Sequence, residues 1–421
     1  MKTKAVRLYG KNDLRLEEFE LPEIKDDEIL VQVVSDSICM STYKAAVQGP
    51  DHKRVPKDVD KNPVIVGHEF AGNIIKVGAK WKGQFKEGGK FAQQPALNYK
   101  GSMASPGYSY KYFGGDATYM IIPHEVMELG CLLNYNGESY YEASLAEPMS
   151  CIIGGYHASF HTKMGCYQHL MGIREGGKLG LLAATGPMGL GSIEYVINCD
   201  RRPSMIVVTD IDDKRIERAK EIFDKDKIKK EKGIDLIFVN TKDIDDVPAY
   251  LRKLTDGTGF DDVYVYAPVK QVVEQADKVL ARDGCLNFFS GPTDKNFSGE
   301  LNYYNVHYGS THVIGTTGGN TDDLKESLKM TEDGIMNPAV MITHIGGLDC
   351  VAETTVNLPK IPGGKKLIYT NINMELTAID DFEEKGKTNP VFAELAKITK
   401  RHNRLWSTEA EKYLLKTMCK L

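Results

Sequence analysis

No two cysteines of this chain stand in a C-x-x-C arrangement. The eight of them, Cys39, Cys131, Cys151, Cys166, Cys199, Cys285, Cys350 and Cys419, are scattered over 421 residues. That spacing excludes a closed four-cysteine zinc knot and argues against a disulfide framework. Most are expected to be small buried apolar residues. A basic excess is missing too, and the net charge of −5 offers no field for capturing nucleic acid. No apolar run approaches a membrane span. The first sixteen residues, MKTKAVRLYGKNDLRL, lack the apolar core of a signal peptide. The expectation is a cytoplasmic protein with neither a membrane nor a nucleic acid as partner. The remainder, 42% apolar and 26% charged, is ordinary for a globular chain, and the length suits two domains.

Residues 1–150 read as β-rich, with β-branched runs at 31–34 and 64–66 between Gly and Pro turns. Gly, Ser and Tyr accumulate over residues 97–115, where an irregular surface loop is expected. From Gly177 to about Ser290 the texture changes. Apolar strand candidates at 179–184, 205–209, 236–239, 263–266 and 286–289 alternate with longer stretches, of which 193–198 and 214–223 look helical. This alternation predicts an α/β fold with a doubly wound parallel sheet. The run 224–232 reads as a solvated helix end. After Phe297 the pattern returns to mixed strands and loops, down to a strand at 366–369, and the tail 390–421 reads as helical. The simplest plan inserts a nucleotide-binding domain, residues 156–304, into a β-rich domain of residues 1–155 and 305–421.

The first of those strands is followed by Ala184-Thr185-Gly186-Pro187-Met188-Gly189 and then an apolar helix. Small residues at a strand-to-helix turn let backbone N–H groups approach a pyrophosphate, and the helix N-terminus adds partial positive charge. The usual fingerprint has three glycines; here Ala184 stands first. The second strand ends at Asp210, near the expected spacing of about 20 residues past the loop. A carboxylate there accepts from ribose hydroxyls and repels a 2′-phosphate, favouring NAD(H) over NADP(H). Lys214 and Arg215 soften that repulsion and leave NADP(H) open. The plainer alternative is a glycine turn that only packs a helix on a strand, with Asp210 as a helix cap.

A second group of residues carries metal chemistry. His68 and Glu69 stand together in PVIVGHEFAGNIIKVG, with Cys39 upstream and Glu147 downstream in LAEPMSC. Thiolate, imidazole and carboxylate suit zinc better than magnesium or calcium, and a catalytic zinc keeps one open position. Such an ion polarises a carbonyl or acidifies a bound alcohol. Each residue alone also has a bland reading. Cys39 fits a core cysteine, His68 a hydrogen-bonded core histidine, and Glu147-Pro148 the start of a helix with Pro in its first turn. Spacing alone does not assemble ligands so far apart.

These stretches resemble the zinc-dependent medium-chain alcohol/polyol dehydrogenases, most closely the sorbitol dehydrogenase and sugar-phosphate dehydrogenase branch. Gly67-His68-Glu69 matches the family's G-H-E, with its F-A-G-x-I-x-x-V-G continuation. Ile38-Cys39-Met40-Ser41-Thr42 matches I-C-G-[ST]-D except at Met40 and Thr42. Glu147-Pro148-Met149-Ser150 matches E-P-L-S, and G-x-G-P-x-G is matched from Gly186 onward. Residues 259–267, GFDDVYVYA, look like the strand beneath the nicotinamide. The resemblance spans about residues 1–370, with its motifs in order. It implies a GroES-like catalytic domain and a Rossmann domain with the active site in the cleft between them. Cys39 and His68 would be zinc ligands, and Glu147 a third ligand or the anchor of a zinc-bound water. Glu69 would be a ligand that exchanges in turnover, and Ser41 would start the proton relay. Hydride would pass between substrate carbon and nicotinamide. Many members hold a second, structural zinc on four close cysteines, but residues 91–113 contain none. One catalytic zinc and no structural zinc are therefore expected.

Met40, Thr42 and the charged tail after Glu375 look more like the L-sorbose-1-phosphate reductase type, which interconverts a ketose phosphate and a hexitol phosphate. A phosphorylated substrate needs cationic anchors, and Lys44, His52, Lys53, Arg54 and Lys57 form a basic patch, unless they are only a solvated loop. The resemblance implies a small-molecule sugar or sugar-phosphate substrate and a homodimer or homotetramer, paired through the edge of the nucleotide domain, for which residues 301–306 are a strand-like candidate. A zinc-free quinone or enone reductase of the same architecture, or a non-catalytic cofactor-binding protein, are the competing functions.

Overall fold

The computed structural model describes residues 1–418, so Cys419 and the last residues of the expected helical tail lie outside it. The chain forms two compact units, one of residues 1–148 with 320 onwards, the other Met149–Gly319. The divisions drawn from the sequence at 155/156 and 304/305 thus fall at 148/149 and 319/320. The first lies inside the helix Tyr140–Ala158, and the second follows a sixth parallel strand, His312–Ile314.

In the first unit the strand Ile29–Ile38 is the organiser. Its residues are buried almost throughout, as β-branched side chains are when a strand is covered on both faces. It pairs antiparallel with Ala71–Val77, Tyr119–Ile122 and, near its C-terminal end, Lys365–Tyr369. The eight-stranded sheet that results packs Val31 and Val33 against Phe70, Ile74, Phe91, Phe113 and Met120. Register matters here. Lys366 faces Ile38, so Lys365 is delivered to the turn that carries Cys39.

The second unit holds six parallel strands, in spatial order those starting at Asp235, Met205, Lys178, Phe260, Leu280 and His312. This is the 3-2-1-4-5-6 order of a doubly wound sheet, whose switch point lies at the carboxyl ends of the first and fourth strands. All five strands expected from the sequence are present in that sheet. Leu182, Val207, Phe260, Val263 and Leu286 form its core.

Several local readings are corrected. Residues 301–306 are not a strand: Asn302 caps the helix Tyr303–Gly309 by accepting from Tyr304 N and Asn305 N, and the sheet edge is His312–Ile314. Residues 97–115 are irregular, but Leu97, Ser105, Tyr108 and Phe113 are buried rather than at the surface. Residues 224–232 are a separate helix, Lys225–Lys232, capped by Asp224. A helix at Thr321–Glu332 went unforeseen, although its capping box, Asn320 with Asp323, is a sequence signal. Pro148 sits mid-helix rather than in a first turn. The tail is helical at Pro390–Arg401 and Thr408–Thr417.

Candidate functional site

Cys39 follows the organising strand directly and is the N-cap of the helix Met40–Gln48, which sets Ser41 and Thr42 in its first turn. His68 and Glu69 come from the bend before Ala71–Val77. That bend is possible only with glycine at position 67. Gly67 has φ +88°, and a Cβ there would lie 2.0 Å from Asp36 Oδ2. Glu69 N in turn donates to Asp36 Oδ1 at 3.0 Å, tying the bend to the strand.

Cys39 Sγ, a ring nitrogen of His68 and a carboxylate oxygen of Glu69 all lie within 4.8 Å of one another. Ser41 Oγ donates to Cys39 Sγ at 3.0 Å and stands 3.2 Å from His68 Nε2. Thr42, the departure from the family's aspartate, has Oγ1 3.3 Å from His68 Nδ1. If Nδ1–H donates to that hydroxyl, Nε2 is left with its lone pair towards Cys39 and Ser41. Glu147, 8% exposed, extends from Tyr140–Ala158.

The electrostatics are those of a site with excess negative charge. Burial, then the Glu69 carboxylate, pushes Glu147 up to about 7, with Cys39 adding to the rise. Burial likewise lifts the Cys39 thiol, and Asp116 to about 7. Asp36 is raised by burial and by Asp116 and Glu69, and its Oδ2 has no hydrogen-bond partner. Burial alone would raise Glu69 too, but the Lys365 ammonium holds it below the usual range. Lys365 donates to both Glu69 oxygens, at 2.6 Å to Oε2, and Ser37 Oγ donates to Oε2 as well. The Lys365 ammonium thus faces several buried acids and a thiol. A divalent cation relieves that imbalance, since it draws thiol and carboxyl groups to their ionised, ligating forms. The donor set therefore fits zinc.

Two partners of the site carry no motif. Lys365 lies nearly three hundred residues from Glu69 in sequence. Tyr108, from the segment expected at the surface, is buried with its hydroxyl 3.4 Å from His68 Nε2 and the two ring centroids 5.1 Å apart. The basic patch divides around it. His52 stacks on Tyr108 at 5.6 Å, and burial with the nearby cations lowers its pKa to about 4. The Arg54 guanidinium lies 5.4 Å from the Tyr108 centroid. Lys44 is half-buried on the Met40–Gln48 helix, whereas Lys53 and Lys57 are exposed, Lys57 donating to Pro50 O.

A second group, His161, Asp283 and His312, also has its donor atoms close together. Those atoms are already engaged. His161 Nε2 meets Asp262, His312 Nε2 meets Phe160 O, and Arg174 ion-pairs with Asp283 at 2.8 Å. A guanidinium already sits where a metal would be needed.

In the second unit, Gly186 is the N-cap and Pro187 the first residue of the helix Pro187–Val196. A Cβ at Gly189 would lie 1.9 Å from Ala184 O, so the third position of the fingerprint needs glycine for helix-on-strand packing. A Cβ at Gly186 would meet nothing within 4 Å, which leaves that side open to a phosphate. Met188 lies half-buried in the first turn. The Asp210 carboxylate accepts from Thr185 N and Oγ1 on one oxygen and from Ile211 N and Asp212 N on the other. Four donors occupy its lone-pair sites, so Asp210 here fastens the loop to the sheet. Arg215 lies beside Asp212 at 3.8 Å. Asp210→Ala is expected to raise KM for NAD+ by about tenfold and that for NADP+ by less, because the repulsion of a 2′-phosphate goes with the charge. Equal losses with both cofactors would assign Asp210 to loop-holding alone.

Comparison with known proteins follows the same division. Residues 25–129 match the family model "Alcohol dehydrogenase GroES-like domain", and residues 188–333 match "Zinc-binding dehydrogenase". The chain is 53% identical to mannitol-1-phosphate 5-dehydrogenase of Aliivibrio fischeri over 98% of this chain and 97% of that one. It is 44% identical to L-sorbose 1-phosphate reductase of Klebsiella pneumoniae over the same shares. The solved structure of 2R,3R-butanediol dehydrogenase from Bacillus subtilis aligns with a TM-score of 0.71 at 22% identity, covering 88% of this chain and all of that one.

Proposed function

The chain belongs to the zinc-binding dehydrogenase family, and on that premise we propose that it passes a hydride between NAD(H) and a polyol or ketose bearing a phosphate. The observation that carries the reading is the donor group of half-buried Cys39 with buried His68 and Glu69, with Glu147 in its field and the Ser41 hydroxyl against it. Cys39 Sγ and His68 Nε2 would hold the zinc, with Glu147 or Glu69 supplying a carboxylate. When bound, zinc polarises a carbonyl or acidifies an alcohol, and the nicotinamide supplies or accepts the hydride.

The chain's own residues do the rest. Thr42 fixes the orientation of the His68 ring. Ser41, already donating to Cys39, is placed to give or take the proton of the substrate hydroxyl. Lys365 holds the charge of Glu69 and keeps that carboxylate from competing freely for the metal. Each oxygen of Glu69 has Lys365 as a donor, so an exchange of Glu69 onto the metal would have to break a buried ion pair. Glu147 is the carboxylate with the smaller barrier to ligation. The sugar-phosphate part of the reading is supported by the two relatives named for such substrates, each aligned over nearly its whole length.

NADH oxidation with L-sorbose 1-phosphate, and NAD+ reduction with mannitol 1-phosphate, test the reading. Turnover with either that is abolished by a zinc chelator is the expected result. Chelator-resistant turnover of quinones in its place would reassign the chain to a metal-free reductase. Assembly as a homodimer or homotetramer is part of the same proposal, with His312–Ile314 as the sheet edge available for pairing. Light scattering that finds a monomer at micromolar concentration would remove it. A cytoplasmic location agrees with a phosphorylated sugar, whose charge confines it to the compartment where it is made.

A further inference from the structure

Resting on the sugar-phosphate reading above, we infer that Arg54 is the side chain that binds the phosphate, and that Tyr108 sets its place relative to the metal-side histidine. Five cationic or titratable residues make up the basic patch, and they are not equivalent. Lys53 and Lys57 are exposed, and Lys57 is drawn to the backbone of Pro50. Lys44 lies on the Met40–Gln48 helix and has partners of its own. His52 is held neutral above its pKa of about 4 and lies flat on the Tyr108 ring.

Arg54 differs from all of these. Its Nε is buried and has no hydrogen-bond partner, and its guanidinium makes no hydrogen bond or ion pair to a described residue. A buried N–H without an acceptor is unfavourable, and a native chain seldom keeps one without a use for it. The backbone around it is fixed. Arg54 N donates to His52 Nδ1 at 3.3 Å, and Arg54 O accepts from Ser109 Oγ at 2.7 Å. This ties the patch to the segment that carries Tyr108. The Tyr108 ring in turn contacts both Arg54 and His68. The metal-side imidazole and the unpartnered guanidinium are therefore linked through one aromatic ring.

The chemistry selects the ligand. A guanidinium presents parallel N–H donors, and a phosphomonoester presents several charged oxygens, so Nε and a terminal nitrogen can be satisfied together. A neutral sugar hydroxyl would satisfy one donor and leave the charge uncompensated. The ring beneath the guanidinium restrains it by cation–π contact, which preorganises the pair. The same contact supports a purely structural alternative, in which Arg54 only braces Tyr108.

Specificity constants separate the two. kcat/KM is measured for L-sorbose 1-phosphate and mannitol 1-phosphate, and for free L-sorbose and mannitol, in the wild type, Arg54→Ala, Arg54→Lys and Lys53→Ala. Arg54→Ala should shrink the preference for the phosphorylated sugar by about 10- to 100-fold, because a charge-assisted pair is lost. Arg54→Lys should restore part of it, since charge returns without the fork. Lys53→Ala, an exposed charge, should leave the preference within about twofold. Parallel losses on free and phosphorylated sugars in both Arg54 variants would make Arg54 a brace and overturn the inference. A wild-type preference that survives intact in Arg54→Ala would overturn it while sparing the sugar-phosphate reading. A wild type that does not favour phosphorylated sugars would remove that reading, and the inference with it.

Discussion

Cys39→Ser should strip the metal from the protein and lower kcat/KM on the order of a thousandfold. Outer partners of a metal site alone are worth about 10- to 100-fold, and Cys39 is a proposed ligand. A serine hydroxyl ionises far less readily than a thiol and is a poor donor to zinc. Without its thiolate, the donor group keeps one imidazole, a carboxylate paired with Lys365, and a Glu147 that burial pushes up to about 7. That set has too little charge to hold a divalent cation. Zinc per chain, measured by elemental analysis, should fall from one to near zero. NADH binding, read by fluorescence, should persist, because the loop at Gly186 belongs to the other unit. A variant that retains full zinc would remove Cys39 from the ligand set. Two tightly held zinc ions in the wild type would refute a single site, given that residues 91–113 hold no cysteine.

Trp406→Ala should destabilise the first unit by about 3–5 kcal/mol, the usual loss for a large aromatic truncated in a core. That is a large part of a total stability of roughly 5–15 kcal/mol. Trp406 is 1% exposed, and its ring packs on Tyr369 and Phe382. Its Nε1 donates to Tyr369 Oη at 2.8 Å, and Tyr369 Oη donates to Glu411 at 2.8 Å. Glu411 accepts in turn from Tyr140 N and Tyr141 N, at the start of the helix that bears Glu147. The charged tail thus locks two elements of the site, the Lys365–Tyr369 strand and the Tyr140–Ala158 helix. The urea midpoint should drop, and Trp406→Phe should recover most of the loss; an unchanged midpoint would make the tail peripheral. Burial also raises Glu411 to about 7 from an ordinary 4.5. A carboxyl with a raised folded pKa gives its stabilisation fully below the unfolded value, and loses it as pH rises through the folded one. The contribution of Glu411 should therefore decline between about pH 4.5 and 7 and stay low above that.

Much of this architecture could be read from the chain. The five parallel strands are apolar runs bounded by polar turns, a pattern that needs no distant partner to be seen. The G-H-E bend shows because Gly67 is sterically required beside Asp36. Elsewhere the pattern misled. Residues 301–306 look extended, but one asparagine cap settles them as helix. Tyr108 reads as a loop residue because burial by packing on His68 leaves no periodicity behind. Lys365 is a lysine in a short strand, and only the register of Lys366 against Ile38 gives it a purpose. Asp210 does stand at the end of its strand, but the Thr185 hydroxyl that occupies its carboxylate leaves no trace in the spacing.

The ion pair between Glu69 and Lys365 has a consequence for how the protein is made. Cys39, His68 and Glu69 leave the ribosome early, whereas Lys365 is synthesised 296 residues after Glu69. At ordinary elongation rates that gap lasts roughly 15–60 s. Throughout it Glu69 lacks the Lys365 counter-charge, and the helix beginning at Tyr140 waits almost as long, 271 residues, for Glu411. Until Lys365–Tyr369 arrives, burying Glu69 would leave its carboxylate unpaired. A premature stop before Lys365 would then be felt at Glu69, a residue translated near the beginning.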